Sequence, residues 1–246
     1  MTPIRIAMWS GPRNISTAMM RAFENRPDTA VVDEPYYAAY LDRTDLHHPM
    51  RDAVIAAGPT DPEQVRAALL GPVPGGRAIY YQKHMTQHML PEFDRSWMAA
   101  CENVFLIRAP EAVLASYVVK RAEVSLGDIG FVEQARLFDE TTERLGKAPP
   151  VIDADDVLAE PRNVLARLCA AIGIPFAEAM LGWPPGPRAT DGVWAPAWYD
   201  AVERSTKFTR PARQTAPLTP ELAAIADAAR PYYERLARHR LSLAGA

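Results

Sequence analysis

With 246 residues and a formal net charge of −3, the chain suits one large α/β domain and lacks the basic surface that non-specific nucleic-acid binding needs. Its 48% apolar residues are ample for a core, no apolar run nears the roughly 18 residues of a membrane span, and no charged-then-apolar leader precedes the strand-like residues from Ile4. Cys101 and Cys169 lie far apart in no metal pattern and read as small buried hydrophobes in a reducing compartment, so a cytoplasmic protein with neither membrane nor nucleic-acid partner is expected.

Ile4 to Trp9 is an apolar run short enough for a buried strand, and Ser10-Gly11-Pro12 ends it. Ile15 to Asn25 reads as a helix, closed by Arg26-Pro27. Strand, tight loop and helix make an anion site, because loop and helix N–H groups converge on the charge and the helix dipole favours it. Arg13 adds a positive charge there, and Ser16 and Thr17 add hydroxyl donors. The loop departs from the nucleotide pattern G-x-x-x-x-G-K-[ST], since Ser16 stands where the second Gly belongs and no Lys precedes Thr17.

Thr29 to Asp33 is the second strand, and it delivers Glu34 to the carboxyl end of the sheet, where α/β proteins bind ligands. Glu34 is therefore a candidate acid or base, or else a cap for the next segment. Tyr36 to Pro62, with Tyr36, Tyr37, Tyr40, His47 and His48, is weakly periodic and reads as a short helix and a long loop walling a substrate site. No third ligand is spaced to make a metal site of His47-His48. Asp61 or Pro62 opens a helix that runs through Leu70. Arg77 to Lys83 is the third strand, with His84 directly after it and His88 on the next turn, behind it. A lysine aimed into a ligand mouth costs desolvation unless an anion meets it, and the near-neutral titration of histidine suits His84 either to general-base work or to a structural role.

Asn103 to Arg108 is the fourth strand, and Pro110 opens a helix that carries Val113 to Val119. Arg108 leaves the strand at the ligand edge with Ser116 two turns into the helix, a spacing that suits an anion. A helix spans Gly127 to Gly146, Val151 to Asp153 is the fifth strand, and Asp153, Asp155 and Asp156 read as helix caps rather than metal ligands. Trp194, Trp198 and Tyr199 lie near Arg204 and Lys207, an arrangement that suits stacking on an adenine beside phosphate or a cap packed on the core. Leu218 to Leu241 is a closing helix with Pro220 at its start. The predicted fold is α/β, three layers α/β/α with a central parallel sheet of about five strands, forming one domain over residues 1–246: an α/β core over 4–180 and a helical C-terminal segment over 181–246.

Three local patterns carry a family resemblance. Gly11-Pro12-Arg13-Asn14-Ile15-Ser16-Thr17 resembles the 5′-phosphosulfate loop of P-loop sulfotransferases, usually Pro-Lys-Ser-Gly-Thr-Thr. Phe105 to Tyr117, with Arg108 after a strand and Ser116 eight residues on, is similar to that family's 3′-phosphate motif. Asp153 to Pro161, continuing to Ile172-Gly173-Ile174-Pro175, is similar to its late segment. The resemblance covers roughly residues 4 to 210.

It implies a P-loop NTPase-like fold and transfer of the sulfuryl group of 3′-phosphoadenosine 5′-phosphosulfate to a small-molecule hydroxyl or amine, without a metal. By the same resemblance Gly11, Pro12, Arg13, Asn14, Ile15, Ser16 and Thr17 hold the 5′ end of the donor, and Arg108 and Ser116 hold its 3′-phosphate. Lys207 takes the place of the family's C-terminal bases, although the Arg-Lys-Gly form is missing. Lys83-His84 falls where cytosolic members carry Lys, one residue, then a His base; other members use a Glu after the first helix, here Glu34. The expected catalytic set is thus Glu34, His84, Lys83 and Arg13, with Glu34 ahead of His84 as base because the Lys-His spacing is disturbed. The alternatives are a non-catalytic nucleotide-binding module of the same fold and a P-loop kinase or nucleotide hydrolase, the latter opposed by the missing loop Lys.

Overall fold

Side chains alternate along a strand, so β1 (Ile4–Ser10) sends Ile6 and Met8 to one face of a sheet and Ala7 and Trp9 to the other; all four are fully buried. A strand buried on both faces belongs at the centre of a parallel sheet between helices. The protein, a computed structural model describing residues 2–121, 123–210 and 217–243, has that architecture. Its five strands, β1, β2 (Thr29–Asp33), β3 (Ile79–Met85), β4 (Glu102–Ile107) and β5 (Val151–Asp153), are all parallel in the order β2-β3-β1-β4-β5.

Among the helices, α1 (Ser16–Glu24) leaves β1, and α2 (Tyr37–Arg43), α3 (Arg51–Ala57) and α4 (Pro62–Leu70) fill the link from β2 to β3. α5 (Pro110–Tyr117) and α6 (Phe131–Leu145) join β4 to β5, α7 (Ala154–Ala159) and α8 (Pro161–Ala171) follow, and α9 (Ala195–Trp198), α10 (Asp200–Glu203) and α11 (Pro220–Ala237) make the C-terminal segment mostly helical. Met19, Met20 and Phe23 of α1 and Val164, Leu165 and Leu168 of α8 cover the face that carries Ile6, Met8, Tyr81 and Leu106. Val65 and Leu69 of α4, Phe138 of α6 and Leu236 of α11 cover the face that carries Trp9 and Phe105. Asp61 caps α4 with Pro62 at its first turn, Thr219 caps α11 with Pro220 next, and Asp153 caps α7 by accepting from Asp155 N at 2.9 Å.

Element ends shift by a few residues throughout, and three of the differences from expectation have a clear physical cause. The stretch between β2 and α4 holds two helices, because Val54 gives Arg51–Ala57 one buried anchor that weak periodicity conceals. α6 starts at Phe131, since Gly130 is left-handed (φ 71°) and breaks it from the turn before. β3 continues through Met85, so His84 lies inside the strand instead of after it. Among the described residues, no helix is long and apolar enough to cross a membrane.

Candidate active site

The carboxyl ends of β1 to β4 open on one cleft of about 1840 Å³. Pro12 through Thr17, Glu34, Lys83, Arg108, Ser116 and Lys207 line it, whereas Gly11 and His84 do not. Parallel strands end on the same edge, which is how residues a hundred positions apart meet there.

The loop after β1 is fixed by backbone geometry. A side chain on Gly11 would put its Cβ 2.7 Å from the carbonyl oxygen of Ile129, so only glycine fits. Arg13 and Ile15 are left-handed (φ 60° and 58°), a conformation that costs non-glycine residues about 1–3 kcal/mol and is kept where surroundings impose it. The surroundings are visible: Asn14 Nδ2 donates to Leu106 O at 3.2 Å, Arg13 Nε to Ser116 Oγ at 2.9 Å, and Arg108 Nη1 to Arg13 O at 2.7 Å. Ile15 caps α1 with no side-chain hydrogen bond, which leaves first-turn N–H groups facing the cleft.

Those bonds draw Arg13, Arg108 and Ser116 together, and among the described residues neither arginine has a carboxylate in ion-pair reach. Among the described residues Arg108 Nε has no hydrogen-bond partner. Burial lowers the pKa of Arg13, with Asp200 opposing and Arg108 adding to the shift; burial likewise lowers that of Arg108 against Asp155 and Asp153. Two desolvated guanidiniums beside loop N–H groups are a site that an anion stabilises, and the planar forks suit phosphate.

A second cluster sits at the end of β2 and β3. Lys83 Nζ donates to Asp33 Oδ1 at 2.7 Å, Glu34 Oε1 at 2.6 Å and the Tyr199 hydroxyl at 2.7 Å, so all three ammonium hydrogens are committed. Tyr199 donates in turn to Asp33 Oδ2 at 2.6 Å, and Trp194 Nε1 reaches the same hydroxyl at 3.1 Å. Burial pulls the Lys83 pKa down, but Asp33 and Glu34 outweigh it and raise the ammonium well above its ordinary value. Burial raises the Glu34 carboxyl, with Lys83 opposing. Glu34 also takes a left-handed backbone (φ 42°), with its N–H donating to Lys83 O at 2.9 Å. The sequence expectation that Lys83 meets a bound anion is corrected here: its anions are Asp33 and Glu34. Neither Asp33 nor Tyr199 was foreseen, because nothing local signals a contact between residues 166 positions apart.

His84 is the other correction. The register pairs Met8 with Lys83 and Trp9 with His84, so the imidazole points to the opposite face from Lys83. It stacks on Trp9 at 4.4 Å between ring centroids and lies near Tyr36 and Trp97, in the core and away from the cleft. Burial pushes its pKa down to about 3. A histidine that stays neutral in the fold but protonates in the unfolded chain destabilises the fold on acidification. Stability should therefore fall as pH drops from about 6.5 towards about 3, by on the order of 4–5 kcal/mol if fully expressed. His84→Phe keeps the stack and should weaken that dependence, leaving the part contributed by the other buried histidine, His88; urea unfolding at neutral pH and at about pH 4 measures it, and an unchanged slope would refute the assignment.

His88, expected behind His84, instead lines the cleft with Glu34, its Nδ1 3.9 Å from Glu34 Oε2. Trp194 is buried against Tyr37 as a packing residue, while Trp198 and the exposed Lys207 face the cleft. Asp153 holds its helix cap and the Tyr233 hydroxyl (2.7 Å), in keeping with a capping role. Among the described residues no group of three His, Cys, Asp or Glu side chains is placed to hold a metal.

Residues 4–239 match the model of the sulfotransferase domain. Two Arabidopsis thaliana proteins, branched-chain-amino-acid aminotransferase-like proteins 1 and 2, are similar at 36% identity over 220 residues and 35% over 216. The matches cover 88% and 87% of this chain but 39% and 38% of those proteins, so the chain spans about two fifths of their length. Among solved structures, the sulfotransferase domain from the curacin biosynthetic pathway matches with TM-score 0.54 and 18% identity over 92% of this chain and 97% of its own. The sulfotransferase from Alicyclobacillus acidocaldarius matches with TM-score 0.55 and 12% identity over 98% of each chain. These likenesses establish the fold.

Proposed function

The chain belongs to the sulfotransferase domain family, and from that membership we propose that it moves the sulfuryl group of 3′-phosphoadenosine 5′-phosphosulfate to a hydroxyl or amine of a small-molecule acceptor. One observation carries the reading: Arg13 bonded to Ser116 and Arg108 bonded to the loop carbonyl of Arg13 set in one cleft two guanidiniums that, among the described residues, make no ion pair. On this reading the loop N–H groups, Ser16, Thr17 and Arg13 hold the 5′ end of the donor, and Arg108 with Ser116 holds the 3′-phosphate, with Lys207 at the rim.

Glu34 is the base in this proposal. Lys83 grips one of its oxygens, the other faces the cleft, and burial gives the carboxyl a stronger hold on a proton than an exposed glutamate has. The acceptor gives its proton to Glu34 and its lone pair to sulfur; the bond from sulfur to the bridging oxygen breaks, and its electron pair leaves on the 5′-phosphate. Arg13 and the loop N–H groups offset charge that builds on the departing oxygens. Lys83, with every hydrogen committed, positions Glu34 and does not touch the sulfuryl group.

That commitment also favours a second reading, a module that binds the nucleotide without chemistry, since the Lys83 ammonium at the cleft has no hydrogen left for a ligand and Arg13 replaces the loop lysine. Two measurements separate the readings. Adenosine 3′,5′-bisphosphate at a hundredfold excess over Kd should stabilise the fold by about 2.7 kcal/mol, a melting-temperature rise of roughly 5 to 10 °C. Radiolabelled donor incubated with hydroxyl and amine acceptors should yield labelled product. Stabilisation without transfer supports the binding module; no stabilisation overturns both.

A further inference from the structure

The two oxygens of Glu34 have different surroundings. Oε1 accepts from Lys83 Nζ at 2.6 Å and lies 3.5 Å from the Tyr199 hydroxyl, whereas Oε2 faces the imidazole of His88 with Nδ1 3.9 Å away. Nδ1 has no hydrogen-bond partner among the described residues, although His88 is only 3% exposed. The ring is held by packing: it lies 4.3 Å from the ring of Tyr37 at an interplanar angle of 11°, and 4.8 Å from that of Tyr40 at 25°. A buried polar atom with no partner, aimed at the cleft-facing oxygen of a carboxylate, calls for a third atom.

A separation of 3.9 Å is too long for N–H···O and matches one oxygen bonded to both groups, since two contacts of about 2.8 Å then meet at an angle near 90°. Resting on Glu34 as the base, we propose that His88 Nδ1–H donates to the acceptor oxygen while that oxygen's hydrogen goes to Glu34 Oε2, and that the acceptor is therefore an alcohol or phenol and not an amine. A hydroxyl oxygen has one hydrogen and two lone pairs. The hydrogen goes to Glu34, one lone pair accepts from His88, and the other forms the bond to sulfur. A neutral amine has a single lone pair, and a hydrogen bond from His88 would occupy the electrons needed for attack. Across the step the O–S bond forms, the bond from sulfur to the bridging oxygen breaks with its pair leaving on the 5′-phosphate, Glu34 gains the proton, and His88 keeps its own.

The role needs a neutral imidazole, because an imidazolium would neutralise Glu34. Burial first, then the charges of His48, Lys83 and His84, hold His88 well below its ordinary value. Tyr37 and Tyr40 cover its two sides, with Tyr37 engaged to His48 Nδ1 at 2.8 Å, so Glu34 is the carboxylate facing the ring. A neutral donor beside a developing charge costs no counter-charge.

Phenol and aniline, alike in shape and both neutral near pH 7, are the probes, with labelled donor and the full chain. Transfer to phenol is expected, with aniline far slower. His88→Leu should lower kcat/KM for phenol by roughly tenfold to a hundredfold, the loss of one hydrogen bond at the reacting atom, and should leave bisphosphate stabilisation unchanged. His88→Asn, whose amide stands near the Nδ1 position, should recover part of the rate. Equal transfer to the two probes, or a His88→Leu rate within twofold of wild type, overturns the proposal. NMR of the ring nitrogens decides it without turnover: a neutral ring protonated at Nδ1 is expected at neutral pH, and an imidazolium or the other tautomer refutes it. Failure of the bisphosphate to bind would count instead against the family chemistry.

Discussion

Replacing Arg108 with alanine should abolish the rise in melting temperature that adenosine 3′,5′-bisphosphate gives the wild-type protein. The side chain stands just past the end of β4, donates through Nη1 to the carbonyl of Arg13 at 2.7 Å, and leaves Nε without a partner among the described residues. Its removal takes away a desolvated cation and also frees the carbonyl that helps hold Arg13 in its left-handed conformation. Each charge-assisted hydrogen bond to a phosphate is worth about 1.5–3 kcal/mol, so losing two weakens binding by roughly a hundredfold or more. The fold itself should lose little, because among the described residues no carboxylate is orphaned by the change. Thermal melts with and without nucleotide report both quantities. An undiminished shift in Arg108→Ala would remove the central assignment, and Arg108→Lys, which keeps charge but not the fork, should fall between.

The parts of this site that were legible in the sequence are those set by strand ends. Apolar runs between breakers mark β1, β2, β4 and β5, and once a sheet is parallel the residues just past the strands face one edge, so Arg13, Glu34 and Arg108 share a cleft that Ser116 joins from α5. Asp61-Pro62 and Thr219-Pro220 announce α4 and α11 by local capping chemistry. What escaped depends on parity or on distance. Lys83 and His84 are neighbours in sequence, yet alternation sends one to the cleft and the other to the core beneath Trp9; ending β3 at Lys83 rather than Met85 hides that split. Tyr199 reaches Lys83 across 116 positions, a contact made by packing of the C-terminal segment and not by any motif. The aromatic cluster around Trp194 admitted stacking or packing equally, and burial of Trp194 against Tyr37 and Tyr199 resolves that tryptophan toward packing, while Trp198 and Tyr199 line the cleft.

Replacing Glu34 with glutamine should cost about 10²–10⁴-fold in transfer, the range that general-base catalysis supplies, while the bisphosphate shift survives. The amide keeps the shape of the side chain, and its oxygen still accepts from Lys83; Asp33 remains to balance the ammonium, so the cluster should hold together. The pH profile gives a sharper test. A base works ionised, so the wild-type kcat/KM should fall as pH drops through the titration of Glu34. Burial places that titration above the ordinary carboxylate value, with Lys83 limiting the rise. In Glu34→Gln the acid limb should vanish along with most of the rate. His84→Phe should retain turnover, because that ring lies in the core beneath Trp9 and not in the cleft. If instead His84→Phe lost transfer and Glu34→Gln kept both rate and acid limb, the base would have to reach the acceptor from the other face of the sheet. With Trp9 and Trp97 packed against that imidazole, β3 would have to shift by one residue to present it, and the same shift would carry Lys83 away from Asp33.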